Sequence, residues 1–307
     1  MDPLDIEPAM KGSRVSRRWL LRSTITLTAG VVAASTTATA APTPDPPETL
    51  TPDHDPVTGE IFDRERHHHW DRSNAMTAVL DHIHIACTNV YTTALDLTKT
   101  TKIGHYDGGF GGNVTLGHKI MPLGGKGVYI EIESIVDPFA TADASKRPWW
   151  YKRAVAVGSP IFSGVRLRVN TMEELGEIAK RHGGTVNPKP IVRTRPDGPE
   201  ARFRDAPYSP GAADPWETGK PTWCCWEERL YAHPSGQPVI NTPGLVQPLG
   251  VVWIEMGGTK AGMQAWLGQN PDDFQMRFNG KSAGLYAIGV STDMGEVVIR
   301  RPPAAGA

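Results

Sequence analysis

Two stretches carry the clearest pattern in the chain. Leu80-Asp81-His82-Ile83-His84-Ile85-Ala86-Cys87 alternates, with Ile83, Ile85 and Cys87 on one face and His82 and His84 on the other. Val128-Tyr129-Ile130-Glu131-Ile132-Glu133 does the same: Ile130 and Ile132 share a face, and Tyr129, Glu131 and Glu133 share the opposite one. Alternation of this kind predicts half-buried strands with the apolar side on a helix. Two imidazoles and two carboxylates are odd choices for a merely solvated face. If the strands neighbour one another these groups converge, and the set His82, His84, Glu131 and Glu133 suits a divalent metal.

The pattern around these strands changes period. After the first, Thr88 or Asn89 caps a helix whose inner stripe is Val90, Ala94 and Leu97. Asp107 to Gly112 is Gly-rich, but no helix opens directly after it, so it is not a phosphate loop. It reads as a hairpin connection or as a flap over the site. A strand over Leu116–Met121 and a Gly124-Gly125 turn lead into the Glu131 strand, while a strand near His105 and Tyr106 is poorly marked.

A second unit repeats this plan. Gly164 to Val169 alternates, Thr171-Met172-Glu173-Glu174 is a capping box, and Met172, Leu175, Ile178 and Ala179 form a helical stripe closed by Gly183-Gly184. Superposing the two opening strands sets Arg166 against His82 and Arg168 against His84. Ala201-Arg202-Phe203-Arg204 alternates with two more arginines on one face, flanked by Arg193 and Arg195. A third, shorter passage has a strand at Val251–Met256, a helix at Ala261–Leu267 and a final hairpin from Ala283 to Arg300. Three units of βα type suggest duplication.

The N-terminal segment reads as an address. Arg17-Arg18, the mild apolar run Ile25–Ala34 and Ala38-Thr39-Ala40 make residues 1–40 an export signal of twin-arginine type, cleaved near Ala40. The run is short against the ~20 apolar residues a span needs, so no stable membrane insertion is expected. Residues 41–74 are a Pro-rich linker, in which His67-His68-His69 reads as a solvated tether rather than a preorganised metal site. The remaining roughly 230 residues suit one compound domain or two small ones. A formal net charge of −1 gives no reason to expect nucleic acid. Three cysteines are too few for a disulfide framework, and Cys87, Cys224 and Cys225 read as packing residues. Trp149-Trp150-Tyr151 reads as cover for the core or as a pocket mouth.

Leu80-Asp81-His82-Ile83-His84-Ile85, Leu123-Gly124-Gly125 and Tyr129-Ile130-Glu131-Ile132, with Arg195-Pro196-Asp197-Gly198 before the Arg202/Arg204 strand, resemble the vicinal oxygen chelate superfamily, in its glyoxalase-like branch. The resemblance implies an α+β fold of tandem βαβββ modules, a curved mixed sheet with a concave pocket. It sets a glyoxalase-like domain over 75–245, as modules 75–140 and 160–245, with an additional partial module over 246–307. It also implies that a His on the first strand and a Glu on the last strand of a module hold the ion, positions that fall on His82 and Glu131. The matching first-strand position of the partner module is Arg166, which cannot ligate, and Ile299 stands near where a further Glu is expected. His84, Glu133, His118 or His233 would complete a non-standard set.

The expected site therefore has His82, His84 and Glu131 as metal ligands and Glu133 as the carboxylate that moves a proton. Arg166, Arg168, Arg202 and Arg204 grip an anionic substrate. The expected protein is an exported isomerase, lyase or hydrolase that depends on a divalent metal ion and acts next to a carbonyl of a small oxygenated molecule. Metal-free binding or sequestration of an anionic compound in the same fold is the alternative, and extradiol-type dioxygenation at iron, with two His and one Glu, is a weaker third. The fold often pairs modules between chains, so a homodimer is one expected state.

Overall fold

The computed structural model describes residues 78–111, 116–125, 127–137, 145, 147–158, 160–194, 196, 200–206, 213–227, 233–234 and 244–302, all within one compact unit spanning 62–307. The export signal, the linker with its histidine run, and Arg195, Asp197 and Gly198 lie outside the described residues.

Two βαβββ units make up most of the fold. The first comprises β1 (Val79–Ala86), α1 (Val90–Thr101), β2 (Tyr106–Gly111), β3 (Leu116–Gly124) and β4 (Val128–Ile135). A helix, α2 (Trp149–Val157), links it to the second: β5 (Ile161–Val169), α3 (Met172–Arg181), β6 (Ile191–Thr194), β7 (Glu200–Asp205) and β8 (Thr222–Trp226). Within each unit the last strand returns to lie parallel beside the first, β4 on β1 and β8 on β5. β1 and β5 pair antiparallel, β2 and β6 pair at the far side, and the eight strands close in the order β1-β4-β3-β2-β6-β7-β8-β5. The expected curved mixed sheet with few helices is thus observed, curled until its edges meet.

The helices form where their local chemistry directs. Asn89 accepts from the backbone N–H groups of Tyr91 and Thr92 to start α1. Thr171 and Glu174 complete a capping box at α3, whose buried stripe is Leu175, Ile178 and Ala179. The Trp149–Tyr151 run opens α2, with Trp150 buried against Ala86, Ile135 and Ile161.

The third passage builds a separate four-stranded sheet from β9 (Pro248–Gly257), β10 (Met276–Phe278), β11 (Gly284–Thr292) and β12 (Gly295–Arg300), with α4 (Lys260–Leu267) after β9. Its strand order is β10-β9-β11-β12. Its last strand does not return to its first, so it does not repeat the plan of the other two units. It meets the barrel at tight points. Gly124 has φ +74, and a Cβ there would stand 2.2 Å from the carbonyl oxygen of Pro248, so only glycine lets the two backbones approach.

The main core lies outside the barrel wall. Ile83, Ile85, Ile130, Ile132, Val165 and Leu167 face outward onto α1, α3 and the four-stranded sheet, with Val90, Ala94, Leu175, Ile254 and Ile288. The opposite faces of the same strands turn into the lumen. β1 and β4 are therefore buried on both sides, not half-buried as alternation predicts. That places the polar faces together and away from water.

Candidate functional site

The lumen gathers the polar faces of the first unit. His82 pairs in register with Tyr129 and His84 with Glu131 across β1 and β4. His118 pairs with Glu133 and Ile120 with Glu131 across β3 and β4. Glu131 is the hub. His82 Nε2 lies 3.4 Å from its Oε2 and His118 Nδ1 lies 3.0 Å from its Oε1. Arg193, from β6, donates to Oε1 of the same carboxylate. His82, His118 and Glu131 are each only 2% exposed.

Two β-bulges re-aim side chains into this set. In the β1–β5 ladder Leu80 pairs with Leu167 and His82 with Arg166, so Asp81 is an extra residue and turns to the lumen side. There it accepts from the indole N–H of Trp226 at 2.9 Å, with His233 Nε2 at 3.0 Å and Arg168 at 3.8 Å. On β5 the extra residue is Ser163, between partners Gly164 and Phe162. Its Oγ donates to the carbonyl of His84 at 3.1 Å, which leaves a lone pair facing His84 Nδ1. His84 Nε2 faces Glu133 Oε2.

Electrostatics separate the members by role. Burial pushes His82 down to about 4 despite Asp81 beside it, with Arg166 and Arg193 adding to the shift. Burial and then Arg193 push His118 down to about 3. Both rings are therefore neutral. Their nitrogens face carboxylates, Asp81 at 3.8 Å and Glu131 at 3.4 Å from His82 and Glu131 at 3.0 Å from His118, but without the alignment of a full hydrogen bond. Burial alone would raise Glu133, but His84 and His118 outweigh it and hold the carboxyl at about 2. Asp81 also stays well below the usual carboxylate range: burial opposes this, and His233, His82 and Arg168 overcome it.

The predicted site residues divide accordingly. His82, Glu131, His84 and Glu133 do come together. His84, however, is committed on both ring nitrogens, and His118 takes the place beside Glu131 that His84 was expected to fill. Glu133 is locked to His84 and is too acidic to serve alone as a base near neutrality. Arg166 is in the lumen, paired with Asp205 at 3.0 Å and lying over Trp216 and Phe203 at 5.0 and 5.5 Å. Arg168 faces the lumen at Asp81, away from His84.

Arg202 and Arg204 are not brought to the site. They sit on the outer face of β7, on Glu200 at 2.9 Å and on Glu227, while Ala201 and Phe203 turn inward. Arg193 supplies the guanidinium at the centre instead. The sequence pattern assigns no site role to Asp81, Ser163, Arg193 or Trp216. A signal existed only for Asp81, because strict alternation would have put a carboxylate among Ile83 and Ile85.

The donor types, though not their convergence, are those a divalent ion takes. Two neutral imidazoles flank one carboxylate, the protonation state ligation requires. The separations of 3.0 and 3.4 Å match those between neighbouring donors on bonds of about 2.0–2.2 Å. The set is not closed, however. His82 and His118 address different oxygens of Glu131, and no three His, Cys, Asp or Glu among the described residues converge on one point.

Among curated proteins none matches the sequence. Solved structures do match. A hypothetical protein from Staphylococcus aureus, 13% identical, covers 69% of this chain and 90% of its own, with a TM-score of 0.52. This shows the fold. Methylmalonyl-CoA epimerase from Mycobacterium tuberculosis, 12% identical, covers 52% of this chain and 93% of its own at a TM-score of 0.35, too slight to carry an argument. The model of the glyoxalase-like domain family matches residues 80–256, more than half of the chain and both βαβββ units, and the chain therefore belongs to the glyoxalase-like domain family.

Proposed function

We propose that the lumen is the active site of a glyoxalase-like enzyme that holds a divalent metal ion through His82, His118 and Glu131. Its substrate is a small, oxygen-rich anion, and the reaction occurs at the carbon next to a carbonyl, as in an isomerase, lyase or hydrolase. The observation that carries this reading is the pair of buried, neutral imidazoles on either side of Glu131, with His82 Nε2 at 3.4 Å and His118 Nδ1 at 3.0 Å from its oxygens.

A bound ion supplies Lewis-acid polarisation of a carbonyl oxygen. The chain's own residues do the rest. Arg193 and Arg166, both over Phe203, present guanidinium edges to substrate oxygens. Glu133 fixes the orientation of His84, and the His84–Glu133 pair together moves the proton that Glu133 alone was expected to move. Elemental analysis of the full chain after a chelator wash tests the metal: about one equivalent of a divalent ion is expected, lost on His118→Ala. No ion at any stoichiometry overturns it.

One observation favours a second reading, in which the lumen binds its anion without metal. Arg193 already sits on Glu131, and the three donors do not converge. Tight anion binding by metal-stripped protein would select it. Export also belongs to this proposal. The mature N-terminus, read by mass spectrometry on protein from outside the cytoplasm, should fall just after Ala40. Among the described residues no helix is long and apolar enough to cross a membrane. A homodimer is proposed on the fold alone, and sedimentation tests it.

A further inference from the structure

His82, His118 and Glu131 are sealed from solvent, so a reactant needs a way in. Among the described residues, β8 pairs with β5 only over Arg166–Val169, and no described strand lies beside Ile161–Val165 on that side. Trp216 stands there, from the turn at 213–221. Its indole N–H donates to the carbonyl of Val165 at 3.0 Å. Its ring stacks on His84 at 4.9 Å and meets His82 edge-on at 6.5 Å. Gly164 makes the space, since a Cβ there would stand 2.1 Å from the indole. Trp216 thus stands between His84 and the outside on this face of the barrel.

Outside that ring lies a cleft of about 190 Å³, whose lining includes Ser163, Gly164 and Trp216 themselves. Its charged lining residues are Arg153, Lys220 and Arg301 against the single acid Glu217. Arg301 lies over Tyr286 and Lys220 over Trp266, so aromatic faces hold two of the three cations in place. A cleft with this charge balance, sharing Ser163 with His84, suits a small oxyanion.

We propose that this cleft is the entry and anion subsite of the lumen, taking a molecule that bears a carboxylate or phosphate group, and that Trp216 is the gate between the two. The role assigned to the lumen rests on the function proposed above, but the charge preference of the cleft and the gating do not depend on a metal. Arg153, Lys220 and Arg301 draw the charged end in. Displacement of the indole then opens the way past Gly164 to His84 and beyond it to Glu131.

A thiol at position 163 reads both halves of the proposal. Cys87, Cys224 and Cys225 are buried, and burial raises all three thiols, so the native background is slow. In the full-length Ser163→Cys protein, a sulfonate-bearing methanethiosulfonate should label position 163 about tenfold faster than its trimethylammonium counterpart. That ratio should fall to about one in an Arg153→Ala/Arg301→Ala background. Adding Trp216→Ala should raise both rates at least tenfold, and Trp216→Phe, which keeps a ring but not the N–H, by a smaller factor.

Malonate and inorganic phosphate, tested separately as protectants, distinguish a carboxylate from a phosphate site. A labelling ratio near one or favouring the cation in Ser163→Cys alone, or protection by neither anion, overturns the subsite. Rates unmoved by both Trp216 substitutions overturn the gate. A protein that shows all the expected rates yet binds no ion loses the metal reading and keeps this one.

Discussion

The two halves of the barrel share a plan and oppose each other in chemistry. His82 is paired with Tyr129 where β1 meets β4, and Arg166 is paired with Thr222 where β5 meets β8. Counting on from those pairs, Glu131 corresponds to Cys224 and Glu133 to Trp226. The first half supplies His82, His84, His118, Glu131 and Glu133, while the second supplies mainly guanidinium groups, with Cys224 and Trp226 at the positions of the two glutamates and His233 and Asp205 paired to Asp81 and Arg166. The thiol is no substitute for a carboxylate, because burial and Asp81 hold Cys224 well above its ordinary range and therefore neutral. His118, from β3, adds a third imidazole to the first half. The two units share a strand plan, while one end of the lumen carries imidazoles and carboxylates and the other mainly guanidinium groups.

Removing the centre of each half should break this comparison most strongly. Glu131→Ala leaves Arg193 buried without its carboxylate and should destabilise the protein by about 3–5 kcal/mol in denaturant unfolding. The corresponding Cys224→Ala removes one buried sulfur and should cost about 1 kcal/mol. Equal losses would mean that Glu131 is not a hub, and that the halves differ in composition only.

Lowering the pH sharpens the contrast by a smaller amount. His82 and His118 have folded values of about 4 and 3 against 6.5 when exposed. The unfolded chain therefore takes up protons first as pH falls below 6.5, and stability is lost progressively until the folded values are passed. At pH 5 each imidazole should cost about 2 kcal/mol relative to pH 7 in chelator-treated protein. Glu133, held at about 2 against 4.5, adds a further loss only below 4.5. In the other half the arginines contribute nothing over this range, while His182 and His233, also lowered by burial, add losses of the same sign. Urea unfolding at pH 7 and pH 5, on wild type and His118→Gln, isolates one imidazole. The variant should lose about 2 kcal/mol less than wild type, and an identical loss in both would remove His118 from the account.

How far the sequence showed this site depends on what alternation encodes. It told which residues of β1, β3, β4 and β5 share a face, and so brought His82, His84, Glu131 and Glu133 together correctly. It did not tell which face is the lumen. For β7 the arginines were expected inside, yet α3 packs on β5 and β8 and leaves that hairpin's outer side to water. Arg202 and Arg204 therefore point out, and Phe203 points in beneath Arg166 and Arg193. Alternation also cannot see a bulge. Asp81 and Ser163 reach the lumen because one extra residue in each strand shifts the ladder there. Trp216 arrives from a turn with no periodicity at all, and only its place beside Ile161–Val165 gives it a purpose. The caps at Asn89 and Thr171 were legible because an N-cap is a local chemical device that needs no tertiary context.

Those caps supply the smallest prediction and the cleanest control on the comparison. Asn89 closes the start of α1 through Asn89 Oδ1, and Thr171 closes that of α3 through Thr171 Oγ1. The two helices occupy corresponding places in the two units, both on the outer face of the barrel. Asn89→Ala and Thr171→Ala should each cost about 1 kcal/mol, with Thr171 slightly the larger, because Glu174 reciprocates its bond. Neither should change ion content or the labelling rate at position 163. Denaturant midpoints measured beside those two readouts decide the matter. If one cap altered the lumen and the other did not, the asymmetry would reach the scaffold itself. If both act alike and only on stability, it is confined to the inward-facing side chains.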